Sequence, residues 1–501
     1  MGTVSELVKP GINPPVAAIG KSRTTARLAQ FIAETRYEDI PAEVIHATKR
    51  MILDEIIVAA AAFDTPMGKA LLQLKASLGG MPEATVVVDG RKLPAQSAAY
   101  INAQLANLLD ADETMLNRMH TVSASVMTAL ALAERAGANG KDLIAAIATG
   151  YDISARVGMS LRQFVPDGKG GQVFSRLYGF SWMTFGAAAT AGRLLGLDQA
   201  QMARTIGQAY ATTPVYFDQM KNKQVLLSDG GRASWHKYQM SGAMAEAGIN
   251  AAQLCSYGWI AQSDVLDEGS EFWLSFAAPG CDWNAMYGGL GEKWYIAESA
   301  IKPYPFCRFA HQSLDIFTKI VSDEKLAADE IEDVLLRIPP HQLSETLAKT
   351  RFADEGLKLM GSHPTALALI ALGIPPGPKW FNADLSSERV RSFARKVRHE
   401  VNAEWGPLLA EQMEKEGVLR YIPTEVIVRT RSGAEYRGFA QSAHGDPWAA
   451  GFEMTDAELG DKARGYLDGI LPAAKIDALI TAVFDLDKAS DVRAVAHAMS
   501  R

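Results

Sequence analysis

The sequence predicts a mainly α-helical fold, in which a large all-helical domain is joined to a smaller α+β domain. The chain has 501 residues, too many for one compact core, so at least two domains are expected. Long alanine-rich segments place apolar residues three and four positions apart, which is the spacing of an amphipathic helix. Between about residues 290 and 445 the pattern changes to shorter extended segments, which favours a mixed domain there.

The N-terminal region is predicted to begin with a disordered leader over residues 1–22. Beyond it, Leu28, Phe31 and Ile32 fall on one helical face. Residues 39–41, with the sequence Asp-Ile-Pro, predict the start of the next helix, because proline is tolerated in the first helical turn.

The rest of the first domain is predicted to be helical, apart from two interruptions. Residues 85–88 and the turn pair Asp89-Gly90 predict a short β excursion. Residues 162–176 contain a proline and several glycines, which indicates a loop between helices. The strongest helical spacing lies in residues 126–136, 140–158 and 183–195. We therefore expect residues 23–289 to form one helical domain.

The second domain is predicted to span residues 290–445. Its expected elements are extended segments at 294–304 and 334–338, a helix at 388–399, and a hairpin with strands at 425–430 and 436–439. After residue 446 the helical pattern returns and continues to the end. This tail is able to fold back onto the first domain, which would then be discontinuous.

Composition and missing motifs exclude several classes of protein. The net charge of -7 offers no overall attraction for a polyanion, and no apolar run approaches the ~20 residues of a membrane span. Cys255, Cys281 and Cys307 form no CxxC pair, which argues against a disulfide framework or a cysteine-ligated metal. The chain also lacks the P-loop, GxGxxG, GxSxG and HExxH motifs. We expect a cytoplasmic protein that binds neither nucleic acid nor a membrane.

The first cluster of chemical interest is residues 110–120, which we name the acidic turn. It contains Asp110, Asp112, Glu113, Thr114 and His120. A carboxylate beside an imidazole suits general acid–base catalysis, because each group can exchange a proton near neutral pH. If the segment is helical, Asp110 and Thr114 share one face. On composition alone, an acidic helix end with a surface histidine is the favoured interpretation.

The second cluster is residues 302–311, which we name the cationic segment. Lys302, Arg308 and His311 form the local positive cluster that an acidic protein needs to bind an acidic substrate. Two prolines stiffen the backbone between them. The alternative is a strip of surface ion pairs, and Cys307 can equally be a small buried hydrophobic residue.

A third basic group surrounds a Gly-Gly pair at 230–231 and comprises Lys221, Lys223, Arg232, His236 and Lys237. It can line an anion pocket, but a solvated loop is the preferred interpretation for most of these residues.

Five stretches occur in an order that resembles the MmgE/PrpD family, which includes 2-methylcitrate dehydratase, cis-aconitate decarboxylase and iminodisuccinate epimerase. They are residues 109–123, 134–151, 186–197, 302–311 and 362–366. The resemblance runs from about Thr24 to the C-terminus. It implies a helical domain built from residues 23–289 and 446–501, an inserted α+β domain at 290–445, and an active-site cleft between them. It also implies a homodimer that needs no metal and no cofactor.

The resemblance carries catalytic roles onto Asp110, Thr114, His120 and Lys302. Cys307 stands where a decarboxylase-like member has a histidine, so it joins the catalytic candidates as an altered position.

The candidates for substrate binding include further departures from the family pattern. Tyr178 lies in the stretch that replaces a His-Pro pair, and Thr365 aligns with a site tyrosine. Lys223 lies near Leu227, which aligns with a site lysine. The remaining substrate-binding candidates are Arg308 and His311 of the cationic segment.

The implied activity is a lyase, of dehydratase or decarboxylase type, acting on a small carboxylic acid. Lys302 and Arg308 would bind substrate carboxylates, His120 would transfer the proton, Asp110 would orient His120, and Thr114 would hydrogen-bond the substrate. One alternative is an isomerase or epimerase that pairs His120 with Tyr178 or Cys307. The other is a carboxylate-binding protein without catalysis.

Overall fold

The computed structural model is mainly α-helical, as the sequence predicts. It describes residues 23–115, 119–161, 181–214, 240–341, 347–348, 352–354 and 356–501, and the backbone of residues 164–166 and 172–174. The predicted leader over residues 1–22 lies outside this described part of the chain. None of the helices within it has the length and apolar character needed to cross a lipid bilayer.

The N-terminal half forms a helical array around one large apolar core. Its helices are α1 (Thr24–Glu34), α2 (Ala42–Ala62), α3 (Pro66–Ser77), α4 (Ala95–Leu108), α5 (Val122–Ala136), α6 (Gly140–Ser160), α7 (Met183–Leu194), α8 (Gln199–Thr212), α9 (Ser241–Ser256) and the short α10 (Trp283–Tyr287). The helices predicted at 126–136, 140–158 and 183–195 are confirmed to within a few residues. The predicted β excursion is the two-stranded pair β1 (Ala84–Thr85) and β2 (Lys92–Leu93).

Small residues allow α6 and α7 to approach closely. A Cβ added at Gly150 would lie 1.9 Å from Thr190 Oγ1, and one added at Gly186 would lie 2.7 Å from Ser154 Cβ. The alanine- and glycine-rich pattern therefore reflects close helix packing, because larger side chains at these positions would push the helices apart.

The C-terminal helices α17 (Asp456–Leu467), α18 (Ala473–Phe484) and α19 (Arg493–Ala498) pack against the N-terminal array. Leu459 and Leu479 belong to the same apolar core as Ile52 of α2. Lys49 Nζ also donates to the carbonyl of Phe484, at 2.8 Å. The two chain ends thus share one core, while the boundaries proposed at 289/290 and 445/446 stay predictions.

The intervening region surrounds a four-stranded sheet with its own apolar core. The strand order is β10 (Glu435–Ala440), β9 (Thr424–Thr430), β7 (Ile331–Ile338) and β8 (Val397–Val401), with only β7 and β8 parallel. The described helices here are α11 (His311–Asp323), α12 (Gly356–Leu359), α13 (His363–Ala371), α14 (Pro378–Phe381), α15 (Glu388–Ala394) and α16 (Gly406–Glu416). The predicted strand at 334–338 and the predicted hairpin are confirmed.

Two element predictions in this region need correction. The helix predicted over 388–399 ends at Ala394, because residues 397–401 pair in parallel with β7, and this pairing overrides the local helical pattern. The extended segment predicted over 294–304 contains a 3-10 turn at Tyr295–Glu298, and its strand β6 covers only Ser299–Ala300.

The loop predicted at 162–176, in the N-terminal half, contains two short strands. They are β4 (Phe164–Pro166) and β5 (Gln172–Phe174), which pair antiparallel.

The buried Arg156 links α6 to residues 288–293, a loop that precedes Lys302 in the sequence. Arg156 forms an ion pair with Asp152, at 2.5 Å, and both side chains are fully buried. Its guanidinium also donates to the carbonyls of Gly288, Gly289 and Lys293, at 2.8, 3.1 and 2.9 Å. One guanidinium therefore donates hydrogen bonds to three backbone carbonyl oxygens of this loop.

Replacing Arg156 by leucine should lower the free energy of unfolding by about 3–5 kcal/mol, because it leaves Asp152 buried and unpaired. Urea unfolding followed by circular dichroism measures this. The matched control is Arg464→Leu, which breaks an ion pair between Arg464 and Asp477 with both side chains more than half exposed. This control should change stability by no more than about 1 kcal/mol. Equal effects of the two substitutions would contradict the role assigned to Arg156.

Candidate active site

The acidic turn lies between α4 and α5, and the structure describes its residues 110–115, 119 and 120. Asp110 has a left-handed backbone with φ of 51°, which aspartate tolerates better than most residues. Thr114 and Met115 form strand β3, which pairs antiparallel with Ala300 and Ser299 of β6. The condition under which Asp110 and Thr114 would share one helical face is not met, because Thr114 and Met115 form a strand.

The same strand pairing brings Lys302 to Asp110, although the two residues are 192 positions apart. The ammonium Nζ lies 2.7 Å from Asp110 Oδ1 and 2.9 Å from the Asp110 carbonyl oxygen. Both side chains are almost completely buried. The lysine and the first acid of the turn thus form one buried ion pair.

His120 lies between two carboxylates of the acidic turn. Its Nε2 is 3.6 Å from Asp110 Oδ1, and its Nδ1 is 3.2 Å from Asp112 Oδ2. Asn107 holds the same oxygen of Asp112 through Nδ2, at 2.7 Å. Burial favours a higher pKa for Asp112, but the neighbouring His120 and Lys302 outweigh it and lower the pKa. A carboxylate therefore faces each nitrogen of the imidazole.

Glu113 anchors the start of α5 directly after His120. Its Oε1 accepts hydrogen bonds from the backbone N–H groups of Thr121 and Val122, at 2.6 and 3.0 Å. The Tyr151 hydroxyl lies 3.5 Å from the same oxygen. Burial and the nearby Asp112 raise the pKa of Glu113 well above its usual value. Glu113 therefore helps fix the backbone that carries His120.

Glu55 of α2 is a further buried acid behind the turn. Neither of its carboxyl oxygens has a hydrogen-bond partner among the described residues. Burial, followed by the charges of Asp112 and Glu113, raises the pKa of Glu55 well above 4.5. Glu55 is therefore expected to hold a proton when the protein is folded.

This raised pKa predicts a pH dependence of stability. The folded state keeps a proton on Glu55 that the unfolded chain has released above pH 4.5. Stability from this group is therefore complete below that pH and is lost as pH rises through the folded-state pKa, by up to about 1.4 kcal/mol per pH unit. Glu55→Gln should reduce the loss between pH 5.5 and 8, as measured by urea unfolding. Glu43→Gln, an exposed position on the same helix, is the control and should not change it. An unchanged pH dependence in Glu55→Gln would refute this protonation state.

Thr114 is buried in strand β3, opposite Ala300 of β6. Its hydroxyl has no hydrogen-bond partner within the described part of the chain, so it is available to a ligand. Of the predicted catalytic residues, Asp110, His120 and Lys302 are thus joined by side-chain contacts.

Arg308 holds a loop of the chain against the cationic segment. Its guanidinium pairs with Asp446 and donates to the carbonyls of His444 and Ala443, at 3.1 and 3.3 Å. The loop in turn packs on residue 301, since a Cβ at Gly445 would lie 1.9 Å from the Ile301 carbonyl oxygen. The contacts of Arg308 therefore stabilise the backbone next to Lys302.

His311 is buried and neutral. Its pKa lies well below the usual value because of burial and the positive charges of Arg308 and Lys302. Nδ1 lies 3.0 Å from an Arg308 nitrogen, and Nε2 lies 3.0 Å from the Phe306 carbonyl oxygen. Nδ1 therefore accepts from the guanidinium, and Nε2–H donates to the carbonyl.

Of the other predicted site residues, the structure describes Cys307 and Thr365 but not Tyr178 and Lys223. Cys307 is half-buried, directly before a 3-10 turn at Arg308–Ala310. Thr365 is buried at the start of α13, where its hydroxyl accepts hydrogen bonds from Ala353 N–H and the Ser362 hydroxyl, at 3.0 and 2.9 Å. Tyr178 and Lys223, and the rest of the third basic group, lie outside the described residues.

Asp110, Asp112 and His120 place ligand atoms within 4.8 Å of one another, a spacing that can hold a cation. The ammonium of Lys302 already lies against Asp110 and supplies positive charge at that point. The donor set therefore suits proton transfer beside a fixed ammonium group. His120, at 8%, is more exposed than Asp110, Asp112 or Lys302, so it is the residue best placed to meet a ligand.

Sequence reasoning missed Glu55 as part of this cluster. A signal was present, because Asp54 and Glu55 interrupt an otherwise apolar stretch of α2, and both are fully buried.

Comparison with known proteins agrees with this architecture. Residues 26–283 match the model of the MmgE/PrpD N-terminal domain, and residues 304–486 match that of the C-terminal domain. Cis-aconitate decarboxylase of Mus musculus is 24% identical over 93% of this chain and 91% of its own length. The Homo sapiens cis-aconitate decarboxylase is 23% identical over 89% and 88%. An Aspergillus terreus protein of the same name is 24% identical over 60% of each chain. The two family models cover most of the chain, which therefore belongs to the MmgE/PrpD family.

Proposed function

We propose that this protein is a lyase, of dehydratase or decarboxylase type, which acts by proton transfer next to a carboxylate of a small carboxylic acid. The proposal includes independence from any metal or cofactor. The observation that carries it is the buried cluster in which Asp110 Oδ1 lies 2.7 Å from Lys302 Nζ and 3.6 Å from His120 Nε2. The cis-aconitate decarboxylase relatives support a lyase of this kind, at low identity.

In the proposed mechanism, Lys302 binds a substrate carboxylate. An ammonium group has three N–H donors, and two of them are directed at Asp110. No residue in the described part of the chain accepts a hydrogen bond from the third, which we assign to the substrate carboxylate. The fixed charge of Lys302 stabilises the enolate-like anion that forms beside the carboxylate, because preorganised cations need no reorganisation during the reaction.

His120 is the proposed proton carrier. In a decarboxylation, the bond to the leaving carboxylate breaks, CO2 departs, and the electron pair remaining on carbon takes a proton from the imidazolium. In a dehydration, the imidazole removes the proton from carbon, and the hydroxyl leaves as water after taking that proton from the imidazolium. Asp110 and Asp112 stabilise the imidazolium in either case, since a carboxylate faces each nitrogen. Thr114 is proposed to hydrogen-bond the substrate.

We propose positioning roles for Arg308 and His311, and the roles of the other candidates stay predictions. The contacts of Arg308 with Asp446, and of His311 with Arg308, support a role in placing Lys302. Binding of substrate by Arg308 or His311 stays a prediction, as do the roles of Cys307, Tyr178, Lys223 and Thr365. A homodimeric assembly and a cytoplasmic location also stay predictions of the sequence.

A panel of small di- and tricarboxylates, with cis-aconitate first, and of larger carboxylic acids tests the proposal. NMR with mass balance should show loss of CO2 or water from at least one member. Uptake of solvent deuterium without such loss would replace the lyase with an isomerase or epimerase. Thermal stabilisation without any product would favour the binding protein.

A further inference from the structure

A second buried lysine, Lys462, contacts the backbone of the acidic turn. Lys462 of α17 donates to the carbonyl oxygen of Ala111, at 3.2 Å, and pairs with Asp54 Oδ1, at 2.5 Å. Its side chain is 4% exposed. Lys302 donates to the carbonyl of Asp110, the preceding residue. Two ammonium groups therefore donate to the backbone carbonyl oxygens of two consecutive residues of the acidic turn, Asp110 and Ala111.

One turn further along the same helix, Tyr466 reaches the other half of the site. Its hydroxyl donates to the carbonyl oxygen of Pro303, at 3.2 Å, directly after Lys302. Burial raises the pKa of Tyr466 well above its usual value, so the phenol keeps the proton that it donates. The ammonium of Lys462 lies 5.2 Å from the centre of the Tyr466 ring, as expected for residues four apart on one helical face.

We propose that Lys462 and Tyr466 act together as positioning residues that set the separation between the acidic turn and Lys302. We name this pair the α17 clamp, and its role in catalysis rests on the proposed function. Neither residue touches the reacting atoms in this account. Each binds a backbone carbonyl next to a catalytic residue, so the helix fixes both sides of the cluster at once.

The energetics favour a specific role for these contacts. Burying an ammonium costs several kcal/mol unless it is paired and hydrogen-bonded. Asp54 supplies the pairing, and the Ala111 carbonyl supplies the remaining directional contact. The clamp connects α17, near the C-terminus, to two segments that lie 192 positions apart in the sequence. Contacts within either segment alone cannot fix the distance between the two.

The test uses two variants that keep the size of the buried side chains nearly constant. Tyr466→Phe removes only the hydroxyl. Asp54→Asn with Lys462→Met removes the second contact without leaving a buried charge unpaired. Arg464→Met, an exposed position on the same helix, is the matched control. Thermal unfolding verifies that each variant is folded.

Both clamp variants should speed amide hydrogen exchange in residues 110–115 by about 10-fold or more, while exchange in α5 and α17 stays unchanged. On the substrate found in the panel, kcat should fall by about 10- to 100-fold with KM nearly constant, because small misplacements of catalytic groups are costly.

Unchanged exchange at residues 110–115 in both variants would overturn the clamp, as would a kcat no lower than that of Arg464→Met. If the wild-type protein turns over nothing in the panel, the proposed function fails. The exchange measurement still tests the clamp in that case.

Discussion

Replacing His120 by alanine is expected to lower kcat on the true substrate by about 10²–10⁴-fold, the range typical of a general acid–base residue. The fold should be retained, because the imidazole lies at the edge of the cluster, where its ring nitrogens face Asp110 and Asp112. Steady-state kinetics measure kcat and KM, and thermal unfolding verifies the fold.

The control for this substitution is His497→Ala, an exposed histidine near the C-terminus, which should leave kcat unchanged. Turnover by His120→Ala at the wild-type rate would remove His120 from the mechanism.

The second large effect is expected for Lys302→Met. This variant leaves Asp110 buried without its ammonium partner, so the free energy of unfolding should fall by about 3–5 kcal/mol. It also removes the fixed cation from the proposed anionic intermediate, so kcat should fall by about 10²–10³-fold. Urea unfolding and steady-state kinetics measure the two effects separately.

A paired variant separates stability from catalysis at Lys302. Lys302→Met combined with Asp110→Asn carries no buried unpaired charge, so most of the lost stability should return while activity stays low. Recovery of activity in this variant would show that the loss in Lys302→Met reflects instability alone.

Much of the fold follows from local pattern in the sequence. The apolar spacing of residues 126–136 and 140–158 predicts α5 and α6 because helices bury one face whatever their neighbours. The alternation at 425–430 and the Ser-Gly turn after it predict the hairpin of β9 and β10, because these two signals are also local. Local pattern does not predict the strand at residues 397–399, because this strand forms through pairing with β7.

The candidate site depends on contacts that no local pattern reveals. The meeting of Lys302 with Asp110 requires the pairing of β3 with β6, and sequence reasoning reached it only through the family resemblance. The contacts of Lys462 and Tyr466 were missed, because a lysine and a tyrosine four apart on an amphipathic helix look like ordinary surface and core residues. Long-range hydrogen bonds of this kind become visible only in three dimensions.

The central claim is that Asp110 and His120 work as one proton-transfer unit. A double-mutant cycle in kcat/KM tests it, with Asp110→Asn, His120→Ala and the variant that carries both, on the substrate found in the panel. Residues that act as a unit show strongly non-additive effects. The account predicts that the double variant is about as slow as His120→Ala alone. Full multiplication of the two single effects would show that the two side chains act independently and would contradict the account.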